Sequence, residues 1–219
     1  MQPTLRGTDY DALCEGFAWR FPDRLNLATQ VCDDWAARAP ERGAILDMRA
    51  GDMRLCSYGA LQRLSRRVEA WLRGQGVGRG DRVGVLLSQS PLCAAAHIAA
   101  WRMGAISVPL FKLFQHDALA SRLGDSGARA VVTDAEGAAR IAPFGLATVT
   151  EDALPAPGDW PAAETGPEDP AVLIYSSGTT GTPKGALHGH RVLAGHLPGV
   201  EMSHDLLGQP GDVLWTPAD

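Results

Sequence analysis

The chain is short of cysteine, aromatic residues, long apolar runs and basic charge. Its four cysteines (Cys14, Cys32, Cys56, Cys93) lie far apart among 219 residues, and no two stand at CxxC spacing. That argues against a zinc ribbon and against a disulfide scaffold, and makes the reducing cytoplasm the expected location. Net charge is −5 with both signs interspersed. Nucleic acid is therefore not an expected partner, and the densest basic group, Arg63 with Arg66 and Arg67, reads as the solvent face of a helix. The most apolar stretch, 91–105, is interrupted by His97 and Arg102 and is too short to span a bilayer. The opening residues lack the basic, apolar and small-residue succession of a secretory signal.

What is present suits a globular core: 45% of residues are apolar. Residues 9–19 predict a short helix capped by Asp9 or Asp11. Residues 27–37 predict a second, capped by Asn26, with Leu27, Val31 and Trp35 in line along one face. Residues 44–49 and 53–56 predict a hairpin across Ala50, Gly51 and Asp52. Ser57 is a cap for a helix on which Leu61, Leu64, Val68 and Leu72 trace an apolar stripe. Strands at 82–87, 105–108, 129–133 and 147–150 alternate with helices at 91–104, 116–123 and 135–141. That alternation predicts an α/β fold with layered, mostly parallel sheets and flanking helices. His97, on an apolar helix, reads as a core histidine with its nitrogens satisfied.

Four divisions follow. Residues 1–40 form a helical lead packed on the body, and 41–154 an α/β subdomain. Residues 155–170, with five prolines and no periodicity, form a surface connection. Residues 171–219 begin a second α/β subdomain, with a strand at 171–175, a helix over about 190–207 that Pro198 could kink, and a last strand at 212–215. Asp219 reads as a helix cap or turn residue at the ligand-bearing end of that strand.

The chemistry concentrates in Tyr175-Ser-Ser-Gly-Thr-Thr-Gly-Thr-Pro-Lys-Gly185. Nine of these eleven residues are Gly, Ser, Thr or Lys. They supply free backbone N–H groups, five hydroxyls and one ammonium, the parts that hold a polyphosphate. The spacing differs from the usual P-loop, because only two residues separate Gly178 from Gly181. A Gly- and Ser-rich surface turn is the plainer alternative. His188, His190, His196 and His204 follow no metal-ligand spacing, so no metal site is expected there.

The run 176–185 resembles the signature loop of the AMP-forming adenylating enzymes, the superfamily of acyl-CoA synthetases, luciferases and peptide-synthetase adenylation domains. Asp81-Arg-Val-Gly-Val-Leu-Leu, Gly104-Ala-Ile-Ser-Val-Pro-Leu and Trp215-Thr-Pro-Ala-Asp219 resemble the acetyl to medium-chain acyl-CoA synthetases in particular. The resemblance implies that Ser176, Ser177, Gly178, Thr179, Thr180, Gly181, Thr182, Lys184 and Gly185 surround the triphosphate of ATP. It makes Lys184 the catalytic cation and has His188 shape the base of the loop. It further implies Mg²⁺, CoA and a small carboxylate as cofactor and substrates.

Members of that superfamily are much longer, so the resemblance implies an N-terminal portion, inactive alone because the later adenine, magnesium and C-terminal lysine motifs are missing. Such a portion is also expected to expose apolar surface near 171–174 or 213–215, where a homodimer could form. The alternatives are an adenylation domain of another adenylate-forming enzyme and a non-catalytic nucleotide-binding fragment.

Overall fold

A computed structural model describes residues 9–49, 51–176, 183–209 and 211–215. At its centre is a six-stranded sheet built from β3 (Arg82–Leu86), β4 (Ile106–Leu110), β5 (Ala130–Thr133), β6 (Ala147–Val149), β7 (Pro170–Ser176) and β8 (Lys184–Gly189), in the order β6-β5-β3-β4-β7-β8. Every pairing is parallel except the last, in which β8 runs antiparallel to β7. A separate antiparallel pair, β1 (Gly43–Asp47) with β2 (Arg54–Ser57), forms the hairpin expected from the sequence.

Alternating side chains of the central strands serve two cores, as a sheet covered on both faces requires. Val83, Val85, Ala130 and Val132 pack against Val68 and Leu72 of α3 (Tyr58–Gly74) and Ala96, Ala99 and Ala100 of α4 (Pro91–Arg102). Leu86, Val108, Leu110 and Val131 pack against Leu119 and Leu123 of α5 (His116–Ser126) and Ile141 of α6 (Ala135–Ile141). Gly84, on the middle strand, is as tight as this arrangement implies: a Cβ there would lie 3.1 Å from Val131. Asp9 and Ser57 act as the caps expected, and Ser90 and Asp134 do the same: all four accept from backbone N–H groups in the first turns of α1 (Tyr10–Gly16), α3, α4 and α6.

Four expectations need correction. The helix after Asn26 contains a π-helical turn, Thr29–Asp33, before α2 (Asp34–Arg38). That extra winding leaves Val31 and Trp35 only partly covered and buries Ala28, Cys32 and Ala36 instead. The strand expected at 212–215 does not form: it pairs with no neighbour, and Trp215 is 78% exposed. The last helix, α7 (Val192–Ser203), is shorter than expected and carries Pro198 inside it. Lastly, Lys184 opens a strand that alternation alone did not reveal, because 184–189 holds two glycines and one branched residue.

The proline-rich connection is a strap rather than a loose link. Arg67 donates to the carbonyls of Leu154 and Pro155, and Arg66 pairs with Asp159. The arginines expected to face solvent thus fasten this strap to α3. Further along, the Leu25 N–H donates to the Thr165 carbonyl while the Thr165 hydroxyl donates to that of Leu25. The change of subdomain expected at 155–170 is not a change of sheet, since β7 lies beside β4.

Beneath the strap is a buried ionic network. Arg102 is 2% exposed and Glu69 fully buried. The Arg102 guanidinium donates to Glu69 at 2.9 Å, to Asp33, and to the Trp160 carbonyl at 2.8 Å. Arg73 donates twice to the other Glu69 oxygen, at 2.9 and 3.0 Å. Replacing Arg102 with Met leaves Glu69 with Arg73 alone and Asp33 without its cation, and should cost about 3 kcal/mol in urea unfolding, because buried carboxylates short of counter-charge are not resolvated. Adding Glu69→Gln should recover part of that loss. A cost under about 1 kcal/mol for Arg102→Met would contradict the network's role.

Two histidines make stability depend on pH. Burial holds His97 at about 4, and burial, opposed by the Asp169 carboxylate, holds His190 at about 4, against an ordinary 6.5. Between those limits the unfolded chain binds more protons than the folded one. Stability should therefore fall as pH drops from about 6.5 to about 4, and His97→Leu should flatten that slope. A slope unchanged in His97→Leu contradicts the assignment for that residue.

Candidate functional site

The parallel strands β5, β3, β4 and β7 end on one edge of the sheet, and ligands of open α/β sheets gather at such an edge. Four features stand there: the turn Leu87-Ser-Gln-Ser after β3, Phe111 and Lys112 after β4, Asp134 after β5, and the glycine- and threonine-rich loop after β7. The loop is the tip of a β7–β8 hairpin. Its two described ends are paired in register, Ser176 opposite Lys184 and Tyr175 opposite Gly185. The Ser176 hydroxyl donates to the Lys184 carbonyl at 3.5 Å, so the legs of the loop start side by side.

Of the residues expected to surround a triphosphate, Ser176, Lys184 and Gly185 are described, and the hairpin brings all three together. Ser177, Gly178, Thr179, Thr180, Gly181 and Thr182 lie outside the described residues, as does the segment 216–219 with Asp219. Ser176, Lys184 and Gly185 are exposed. A Cβ on Gly185 would meet Leu173 at 2.9 Å and the Tyr175 ring at 3.3 Å, which ties this glycine to the close packing of the leg below it.

Tyr175 fixes the hairpin at the loop end. Its ring belongs to the core under α5, and its hydroxyl donates to Asp125 at 2.5 Å. Burial first, and then this bond, push the phenol up to about 12, so it stays a neutral donor. Arg122 stacks over Phe114 at 4.0 Å and lies 5.9 Å from the Tyr175 ring. At the far end, the His190 imidazole accepts from the Leu27 N–H at 3.0 Å. Between them the Trp101 indole donates to the Ala171 carbonyl at 3.1 Å, where β7 meets β4 at the pair Ser107 and Val172. Sequence reasoning missed Tyr175–Asp125 and His190–Leu27, whose partners are 50 and 163 residues apart. The one signal was a Tyr at the end of an apolar strand and a second His after it.

His188 does not stand at the base of the loop. It lies four residues from Lys184, opposite Val172, and faces a cleft with Trp19, Phe21, Arg191 and His196. His97 is also not the satisfied core histidine expected. Its Nδ1 is buried without a partner, on a cavity of about 90 Å³ shared with Val85, Ser88, Cys93, Phe111 and Lys112. Cys93 beside it is pushed up to about 11 by burial, which leaves its thiol protonated and unreactive. Lys112 is held by Asp134 at 2.7 and 2.8 Å. Among the described residues no group of three His, Cys, Asp or Glu side chains could hold a metal ion. No described helix is long and apolar enough to cross a membrane.

The arrangement is thus a polar loop whose two legs are paired and locked to the core, with a cation at its exit. The described groups at its two ends, the Ser176 hydroxyl and the Lys184 ammonium, suit an anionic ligand.

Comparison with known proteins leads to the same place. The family described as AMP-binding enzyme matches residues 32–219. Acetyl-coenzyme A synthetase of Shewanella sp. (strain MR-4) is 29% identical over 98% of this chain, and that of Shewanella halifaxensis 31% identical over 92%. The chain spans 39% and 37% of those relatives. Among solved structures, the acyl-CoA synthetase of Brucella canis is 26% identical at a TM-score of 0.71, over 84% of this chain and 36% of that one. The inhibitor-bound N-terminal domain of FACL13 from Mycobacterium tuberculosis is 27% identical at 0.69, over 78% of this chain and 46% of that one. With the family match running from the π-helical turn through the strap and the hairpin to residue 219, this chain belongs to the AMP-binding enzyme family.

Proposed function

We propose that this chain supplies the triphosphate-binding hairpin of an ATP-dependent acyl-CoA ligase acting on short- to medium-chain carboxylates. The observation that carries this reading is the pairing of Ser176 with Lys184 at the ligand-bearing edge of the sheet, in a chain of the AMP-binding family. In the first half-reaction a carboxylate oxygen attacks the α-phosphorus of ATP, the bond to the β-phosphate oxygen breaks, and acyl-adenylate and pyrophosphate result. In the second, the CoA thiol attacks the acyl carbon, AMP leaves, and the thiol proton passes to solvent.

Here Lys184 neutralises charge that grows on the departing pyrophosphate, while Ser176 and the loop hydroxyls and N–H groups 177–182 hold its oxygens. Magnesium enters with the phosphates of ATP. The carboxylate and the α-phosphate need orienting groups besides this hairpin, so the 219-residue chain by itself should make no acyl-adenylate. A cytoplasmic enzyme fits the sparse cysteines. Exposed Ile174, or the exposed run Val213, Leu214 and Trp215, is where self-association of the isolated chain would occur.

Two measurements test the proposal. Calorimetry with Mg·ATP should show binding by the chain, weakened about 30-fold in Lys184→Ala, the worth of one charge-assisted hydrogen bond of about 2 kcal/mol. Carboxylate-dependent exchange of pyrophosphate into ATP should be found in the protein that contains this chain at the full length of its relatives, and be absent from the chain alone. Equal ATP affinity in wild type and Lys184→Ala, or no exchange with any short- to medium-chain carboxylate, would overturn the reading.

A further inference from the structure

We infer that His190 is a positioning residue for the phosphate loop: its imidazole, accepting from the Leu27 N–H, ties the outer strand of the loop-bearing hairpin to the helix that begins at Leu27. The inference rests on the function proposed above and deepens it by naming what sets the hairpin's place.

The hairpin is attached to the body at few points. Among the described residues β8 is an edge strand, bonded to β7 on one side and to no described strand on the other. β7 itself meets β4 through the single register pair Ser107 and Val172, supplemented by the Trp101 indole on the Ala171 carbonyl. Tyr175 holds the loop end of β7 through Asp125. His190 directly follows β8, is fully buried, and reaches across to the first turn of another element. The backbone around it is fixed as well: its N–H donates to the Asp169 carbonyl and that of Arg191 to the Pro167 carbonyl. Gly189, at the end of β8, would place a Cβ 2.5 Å from the Pro167 oxygen, so the chain is pressed against the strap where His190 turns inward.

The bond also satisfies a backbone donor that would otherwise be stranded. The first N–H groups of a helix have no partner within the helix. Asn26 Oδ1 takes that of Ala28, and His190 Nδ1 takes that of Leu27, which is itself fully buried. Because Nδ1 accepts, the proton sits on Nε2, and Nε2 is buried without a partner. A side chain chosen for stability alone would not leave a donor stranded in the core. An acceptor at the Nδ1 position is what this site retains, despite that cost. Asp169 and Arg79 are the charged groups that act on the ring, from the strap and from the turn before β3, and their effects oppose each other.

The chemistry gives a discriminating set of variants. An Asn amide oxygen stands as far from the backbone as Nδ1 and can accept the same bond, while the Gln oxygen reaches instead to the Nε2 position. Leu fills the space with no acceptor. In the 219-residue chain, amide hydrogen exchange at Leu27 and Leu187 should be close to wild type in His190→Asn. It should be about tenfold faster in His190→Leu and His190→Gln, with circular dichroism confirming the fold. The Kd for Mg·ATP should follow the same order, within about twofold of wild type for Asn and weaker by about fivefold or more for Leu and Gln. If His190→Leu does not fold, the Gln variant decides.

Leu187 exchange and ATP affinity unchanged in His190→Leu or His190→Gln would overturn the inference. So would a His190→Asn variant that fails as His190→Leu does, since a purely space-filling role predicts that result. If the wild-type chain binds no ATP, the proposed function fails, and exchange at Leu27 and Leu187 still decides whether His190 anchors the hairpin.

Discussion

Four otherwise separate segments meet at the guanidinium of Arg102. It reaches Asp33 at the end of the π-helical turn, Glu69 on α3 and the carbonyl of Trp160 in the strap, while sitting at the last turn of α4 and sharing Glu69 with Arg73. The main-chain carbonyl of the same residue accepts from the Ala163 N–H. A planar donor group with several fixed N–H directions can serve that many partners; an ammonium could not hold them in one plane. Burying such a charge costs a great deal of solvation, and its value lies in fixing how the pieces meet. Because the strap runs directly from this network to β7, the network also sets where the loop-bearing hairpin begins.

From there β7 is placed by apolar packing in two cores together with a small number of directional bonds. Leu27 packs on Ala171 and Val172, and Trp101 closes the gap between β4 and β7. Tyr175 and His190 then pin the two ends. This division of labour suits a phosphate-binding loop. A ligand site at the end of the hairpin is only as well placed as the legs that carry Ser176 and Lys184. The antiparallel return through β8 puts Lys184 directly opposite Ser176, and thus a cation beside the first hydroxyl of the loop.

Much of this was legible in the sequence, and the parts that were not share a cause. The parallel order of layers followed from apolar runs separated by amphipathic helices, and Asp9 and Ser57 declared helix starts through local chemistry. The composition of 176–185 pointed to a phosphate-binding loop, which is the reading proposed above. β8 was hidden because 184–189 gets its extended form from pairing with β7, not from its own residues. The arginines at 66 and 67 read as solvent-facing because nothing local tells that a proline-rich strap will lie over them. For the same reason His190 looked like one of four scattered histidines. Its partner is the N–H of Leu27, which belongs to the other end of the chain and carries no side-chain signature. Periodicity reports burial and caps report boundaries, but a bond across 163 residues leaves no local mark.

The central claim is that the hairpin recognises the outer phosphates of a nucleotide. Competition calorimetry among Mg·ATP, Mg·tripolyphosphate and AMP addresses it most directly. The account predicts that tripolyphosphate displaces ATP from the 219-residue chain and that AMP, which lacks the β- and γ-phosphates, competes weakly. AMP competing as well as ATP while tripolyphosphate fails to displace it would contradict the claim, because recognition would then lie with the nucleoside and not with the loop.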